Sequence, residues 1–520
     1  MTGSKLPLKE RVGQLFHVGF DGTTVPSRVR SLIREYNVGG IIYFSRNLQT
    51  AAQSRELTAS LQSIARHTGH GLPVFVSTDH EGGTVSRLPY YPFPPGNMAV
   101  GATGTPASAE RAAAVAAEQL RSVGVNLNLA PVLDVNSDPE NPVIGIRSYG
   151  ERHETVSAFG AAYIEALQNE DILACGKHFP GHGDTPVDSH ENLPRVDGTL
   201  TELGGTELPP FERAINVDVD AIMAAHVAFP SLTGSSTMPA SLSRTVLTDL
   251  LRDELGFEGL ITTDCLEMDA IAKGVGVARG AVEAVRAGAD TVFVSHSRDR
   301  QREAIEAVIE AVHRGYISEA RIDDAVRRVR RIKRNRLTEH PGIEPDTHAH
   351  RRAINRIATE AVAVVRDSDG RLPLDTDRPL CVFAADPPPD SPAAESSRYR
   401  DPLKDELEAA GFEPSVRPLE SDGAGRKSPP EDPVPRNVLV CTVDATRAPR
   451  QARAVERLLE DGYEPVIAAI RSPYDLQVLD AVETYLVTYN PLPSGLRGLA
   501  AVLAGRHEPT GCVLPSQRKR

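Results

Sequence analysis

The 520-residue chain has no long apolar run, no paired-cysteine motif, no nucleotide-binding glycine motif and no excess of basic residues. Each gap removes a class of protein. No window approaches 18 uninterrupted apolar residues, and the opening MTGSKLPLKERVGQLF has no apolar signal core, so neither a membrane nor an export address is read. Cysteines 175, 265, 381, 441 and 512 are odd in number and nowhere form CxxC, the pattern of reduced, mostly buried thiols in a cytoplasmic protein. Fifty-seven basic against 70 acidic residues leave a net charge of −13. That argues against a nucleic-acid partner, which calls for a basic face, and is too mild to imply a halophilic source. Only eight of the basic residues are lysine, a matter of genome composition more than of function. GxGxxG, the P-loop, HExxH and paired histidines near the first strand are all missing, so no nucleotide cofactor and no metal are expected.

What is present is an α/β pattern. At this length two domains are expected. Short apolar runs at Gln14–Val18, Gly40–Phe44, Val74–Thr78, Val125–Leu129, Ile172–Gly176, Ala221–Ala225, Leu260–Thr263 and Thr291–Val294 alternate with helical stretches such as Ser108–Val123, Glu151–Asn169 and Thr245–Leu255. Near-continuous apolar strands between helices mean a parallel sheet covered on both faces. Eight such units over some 300 residues predict a (β/α)8 TIM-type barrel, with a first unit that the irregular spacing leaves free to be displaced or antiparallel. A basic amphipathic helix over Ser318–Arg336 closes this domain, residues 1–336. The proline-bearing stretch 337–350 reads as a linker. Residues 351–520 then predict a smaller α/β/α sandwich domain, an open parallel sheet with strands at Leu380–Ala384, Val438–Val443, Pro465–Ile470 and Thr484–Thr488. Two proline-rich stretches within it read as surface loops.

Residues 177–190, KHFPGHGDTPVDSH, hold one lysine, three histidines and two aspartates among glycines and prolines. No helix tolerates that spacing, so the segment is a loop leaving the fifth strand, where barrel enzymes keep their chemistry. Other strand ends carry Asp79, His80, Glu81 and Arg87 (strand 3), Arg147 (strand 4), His226 (strand 6) and Asp264 (strand 7). Asp264, after Leu-Ile-Thr-Thr, is open to two readings, a helix N-cap or a nucleophile. Asp188 and His190 sit two apart, so the carboxylate can stabilise an imidazolium suited to proton transfer, or the pair is a surface turn. Asp79, Arg87, Arg147 and Lys177 fit a polyol clamp, with structural ion pairs as the plain alternative.

These motifs resemble glycoside hydrolase family 3, specifically its β-N-acetylglucosaminidase branch. KHFPGHGDTPVDSHENLP (177–194) matches the family pattern KHFPGHG…DSH…LP, and VGGIIYFSRN, DHEGG..SR, APVLDV, RSYG, AAHV and PASLS follow the family order over residues 10–335. The resemblance implies a retaining hydrolase of β-N-acetylglucosaminides, such as cell-wall fragments or chitin oligosaccharides. It implies Asp264 as nucleophile and His190 with Asp188 as an acid/base dyad. Asp79, Arg87, Arg147, Lys177 and His178 would bind the sugar. Phosphorolysis at the same site, a β-glucosidase or xylosidase, and a sugar-binding protein without catalysis are the competing readings. The chain departs from the family pattern at His80, Thr84, Ile146 and Cys265, beside the expected site residues.

Overall fold

The computed structural model of the protein describes residues 6–69, 71–185, 193–337, 342–386, 399–419 and 437–513. Eight strands, β1 (Phe16–Val18), β2 (Gly40–Tyr43), β3 (Phe75–Thr78), β4 (Leu127–Asn128), β5 (Leu173–Phe179), β6 (Ala221–Ala224), β7 (Leu260–Cys265) and β8 (Thr291–Val294), close into a barrel in sequence order. All eight pairings are parallel, β1 sealing against β8 through His17 and Phe293. The first unit is therefore a regular one, neither displaced nor antiparallel. Strand β4 is shorter than its apolar run because the Asn126 side chain competes for strand contacts. Its Oδ1 accepts from Val76 N at 2.8 Å.

The barrel interior is packed, not hollow. Ile42, Phe75, Leu129, Leu173, Met223 and Phe293 share one apolar cluster, and Val329 and Ile332 of the helix Glu319–Arg336 join it from below. That helix also inserts Lys333, which is 1% exposed. Its Nζ donates to Gly39 O at 2.7 Å and Gln14 Oε1 at 3.1 Å, and lies 4.8 Å from the centre of the Phe75 ring. Burial pushes this amine down from 10.5 to about 7. An unfolded chain thus binds one more proton than the folded one between about pH 7 and 10.5, so this group makes stability rise with pH across that window. In urea titrations at several pH values, Lys333→Met is expected to remove that slope and to be at least as stable as wild type at pH 7, since a buried cation gives way to an apolar chain of similar length.

The second sheet has six strands in the order β11-β10-β12-β13-β14-β9: β9 (Ala363–Asp367), β10 (Leu380–Ala384), β11 (Pro414–Pro418), β12 (Asn437–Thr442), β13 (Val466–Ala469) and β14 (Thr484–Val487). It is mixed, not wholly parallel, because β9 runs antiparallel to β14. Neither β9 nor β11 was expected from the sequence. Strand β11 carries a proline at each end and is largely exposed, which only an edge position tolerates. The helices Arg400–Ala409 and Pro493–Leu503 cover one face through Leu403, Leu407, Leu496 and Leu499. The other face buries Val455 and Leu458 of Pro449–Glu460 together with Met98 and Ala99 from a helix of the barrel domain, Asn97–Ala102. The sandwich is thereby joined to the barrel by a common apolar core. All five cysteines are free thiols. Among the described residues no helix is long and apolar enough to cross a membrane.

Candidate active site

A cleft of about 480 Å³ opens over the carboxyl ends of the barrel strands, and Asp79, Arg87, Arg147, Lys177, His178 and Asp264 all line it. Asp188 and His190 lie outside the described residues. Lys177 projects from β5 and is 2% exposed. Its Nζ is 2.8 Å from Asp79 Oδ1 and 2.6 Å from Glu81 Oε1. Arg147 grips Glu81 with both prongs, Nε to Oε2 at 2.9 Å and Nη2 to Oε1 at 2.8 Å. Two cations and two carboxylates thus form one chain across the ends of β3 and β5. Burial alone would raise the Glu81 carboxyl, but Arg147 and Lys177 outweigh it and hold it well below the usual range. Burial would lower the Lys177 amine, and Asp79 and Glu81 reverse that. Both partners are therefore charged. The ion pairs that the sequence offered as an alternative to a polyol clamp are present, and they line the cleft. Fixed forks of this kind hydrogen-bond vicinal hydroxyls.

Glu81 stands at the centre of this chain, although the sequence showed it only as one of several polar groups at a strand end. Asp134 was missed. Fully buried, it accepts from His178 Nδ1 at 2.7 Å through Oδ2, and from His178 N and His182 N at 3.1 and 2.8 Å through Oδ1. Burial would raise its carboxyl, but His178 holds it below the ordinary value. Its signal was the same as that of Asp264, a carboxylate closing an apolar run, Val-Leu-Asp-Val. His182 is pushed down to about 4 by burial and by His178. With Nδ1 2.8 Å from Thr185 Oγ1, it belongs to the loop's framework. His80 is likewise structural, buried with Nε2 3.0 Å from Gln119 Oε1 and Nδ1 accepting from Arg87 N at 3.3 Å. Among the described residues no group of three histidines, cysteines or carboxylates is placed to hold a metal ion.

The glycines of KHFPGHG are dictated by close approach. A Cβ at Gly183 would stand 1.6 Å from Val135 O, and Gly181, at φ 142°, lies against the Glu207 carboxyl. Asn141 Nδ2 donates to both His182 O and Gly183 O, which pins the loop to the segment after β4. Gly183→Ala is expected to destabilise the protein by about 3 kcal/mol, the upper range for overpacking, and to loosen His178. An unchanged melting temperature would show that the loop yields.

Asp264 closes the apolar part of β7 and accepts from Cys265 N at 2.6 Å through Oδ1. The next helix, Asp269–Ala272, is entered from Met268, so Asp264 is not its N-cap. His226 sits behind it, Nε2 3.1 Å from Cys265 O and Nδ1 2.7 Å from Ser241 Oγ. That ties the end of β7 to the loop after β6.

A closed parallel barrel with charged groups converging over its strand ends is the design of barrel enzymes, and this cleft holds the Asp264 carboxylate together with the Asp79–Lys177–Glu81–Arg147 chain. The family model described as Glycosyl hydrolase family 3 N terminal domain matches residues 7–332. The β-hexosaminidase A of Pseudoalteromonas piscicida is 34% identical over 378 residues, 68% of this chain and 63% of that protein. A β-N-acetylglucosaminidase/β-glucosidase of Cellulomonas fimi is 28% identical over 536 residues, 96% of this chain and 91% of the relative. The solved structure of a glycoside hydrolase family 3 β-N-acetylglucosaminidase from Paenibacillus sp. str. FPU-7 is 38% identical and superposes with a TM-score of 0.91, covering 98% of this chain and 99% of that one. The chain belongs to glycosyl hydrolase family 3.

Proposed function

We propose that the protein is a retaining β-N-acetylhexosaminidase that releases terminal β-linked N-acetylglucosamine from small glycosides. The observation that carries this reading is the placement of Asp264 at the tip of β7, in one cleft with the Asp79–Lys177–Glu81–Arg147 chain at the ends of β3 to β5. A pyranose whose hydroxyls engage that chain and His178 presents its anomeric carbon to the opposite wall, where Asp264 stands. Asp264 attacks and forms a glycosyl ester while an acid protonates the departing oxygen. The same group, now a base, then activates water. His190, backed by Asp188, is assigned that acid/base role on its motif, and Arg87 joins the sugar-binding wall. The relatives that carry hexosaminidase and N-acetylglucosaminidase names support the 2-acetamido preference. Five free thiols support a reducing, cytoplasmic setting, and with it small imported fragments of cell wall or chitin as substrates.

The test is steady-state release of nitrophenol from its β-N-acetylglucosaminide and from its β-glucoside. Preference for the acetamido sugar is expected, together with first-formed product of β configuration by proton NMR. A folded protein that turns over neither glycoside, or that releases the α anomer first, would overturn the reading.

A further inference from the structure

The cleft does not end at Asp264. Beyond the nucleophile it is bounded by the ends of β2 and β8, where Phe44, Arg46 and His296 line it. This rim is built rather than loose. Phe44 N donates to Asn47 Oδ1 at 2.9 Å, and buried Asn47 donates in turn to Phe20 O and Gly22 O at 3.0 and 2.8 Å. The turn at Ser45–Asn47 is thus tied to the loop after β1. The Arg46 guanidinium lies over the Phe44 ring, 4.3 Å from its centre. Its Nε is 2.7 Å from Asp21 Oδ1 and donates to Phe20 O at 3.2 Å. Nη2 reaches Ser295 O at 3.4 Å and His296 Nδ1 at 3.3 Å. His296 is fixed from its own side, its N donating to Glu267 Oε2 at 2.6 Å. With Nε and Nη2 committed, Nη1 has no hydrogen-bond partner among the described residues.

We propose that Arg46 is a specificity-determining residue for the leaving group, and that the Phe44–Arg46–His296 rim receives the sugar ring attached to the scissile bond. The inference rests on the proposed function and deepens it. In a β-linked pyranose the C1–O1 and C4–O4 bonds leave the ring at opposite ends. A ring held at one end by groups on β3 to β5 sends its aglycone toward the far side of the barrel mouth, which is β8 with its neighbours β7 and β1, and the turn after β2 reaches that side where Arg46 meets Ser295 and His296. There a guanidinium already immobilised on an aromatic ring offers two N–H groups at small further entropic cost. Asp21 and Glu267 beside it offset its charge, so the site suits neutral hydroxyls better than a carboxylate or phosphate. The class of leaving group is therefore a neutral pyranose.

The experiment compares wild type, Arg46→Gln and Arg46→Lys on the β-1,4-linked disaccharide of N-acetylglucosamine, with inhibition by free N-acetylglucosamine as the readout of the clamp alone. Arg46→Gln is expected to raise KM for the disaccharide by about tenfold, the value of one charge-assisted hydrogen-bond set. Its inhibition constant for the monosaccharide should stay within about twofold, and Arg46→Lys should fall between the two. An unchanged disaccharide KM would overturn the inference. So would a monosaccharide inhibition constant that rises in parallel, since Arg46 would then act through the clamp. A wild type that also fails to hydrolyse the nitrophenyl glycoside would overturn the proposed function and this inference together.

Discussion

Asp264→Ala is expected to lower turnover of nitrophenyl β-N-acetylglucosaminide by roughly a thousandfold or more, the scale of losing a covalent nucleophile. The melting temperature should move little. Asp264 caps no helix and lines the cleft at a strand tip, so the loss falls on chemistry more than on the fold. Added azide separates the roles further. A small anion entering the space of the missing carboxylate attacks the anomeric carbon from the nucleophile's side, so activity returns in part and the product is the α-glycosyl azide. A β-azide would mean that the missing group had been the acid/base. Activity within tenfold of wild type would remove Asp264 from the reaction.

Glu81→Gln is expected to have the largest effect on stability, about 3–5 kcal/mol, because it leaves Arg147 facing a neutral amide and Lys177 balanced by Asp79 alone. Glu81 and Lys177 are each 2% exposed, so water cannot take over the missing charge. Sugar binding should fail with it, since the forks of Arg147 and Lys177 are set by Glu81. The pH dependence has a definite sign. The folded carboxyl is held below its ordinary 4.5, so its contribution is complete above about pH 4.5 and is lost as pH falls from there toward the folded value. Denaturant titrations of wild type and variant should therefore differ most near neutrality and converge below pH 4.5. A constant difference down to pH 3 would show that Glu81 acts through shape and not charge.

The charged chain over the barrel mouth is made by contacts that link distant parts of the sequence. Asp79 and Lys177 are 98 positions apart, and Arg147 and Glu81 are 66 apart. No local pattern distinguishes an ion pair on a helix surface from one over a barrel mouth. Glu81 illustrates the point, because its neighbours in sequence mark it only as a polar residue in a turn. Asp134 was hidden differently. It contacts no open part of the cleft and works through the backbone and imidazole of the loop that does.

The barrel was legible because parallel strands buried on both faces must be apolar along their length, and eight such runs between helices leave few other arrangements. The loop after β5 was legible because its glycines and proline exclude regular structure, although Lys177, His178 and Phe179, read as part of it, extend β5, and residues 186–190 lie outside the described residues. Strands β9 and β11 were not. One runs antiparallel against β14, and the other is an exposed, proline-bounded edge, so neither carries the apolar signature that burial imposes. By itself the sequence determined the fold class and which strand ends carry charge, since these follow from periodicity and local residue type, and its motifs carried the resemblance to the family. Only the tertiary structure decided that Glu81 joins the two cations, that Asp134 anchors the histidine loop, and that Arg46 lies fixed across the cleft. Those depend on distances between segments, and a linear pattern of residue types contains no distances.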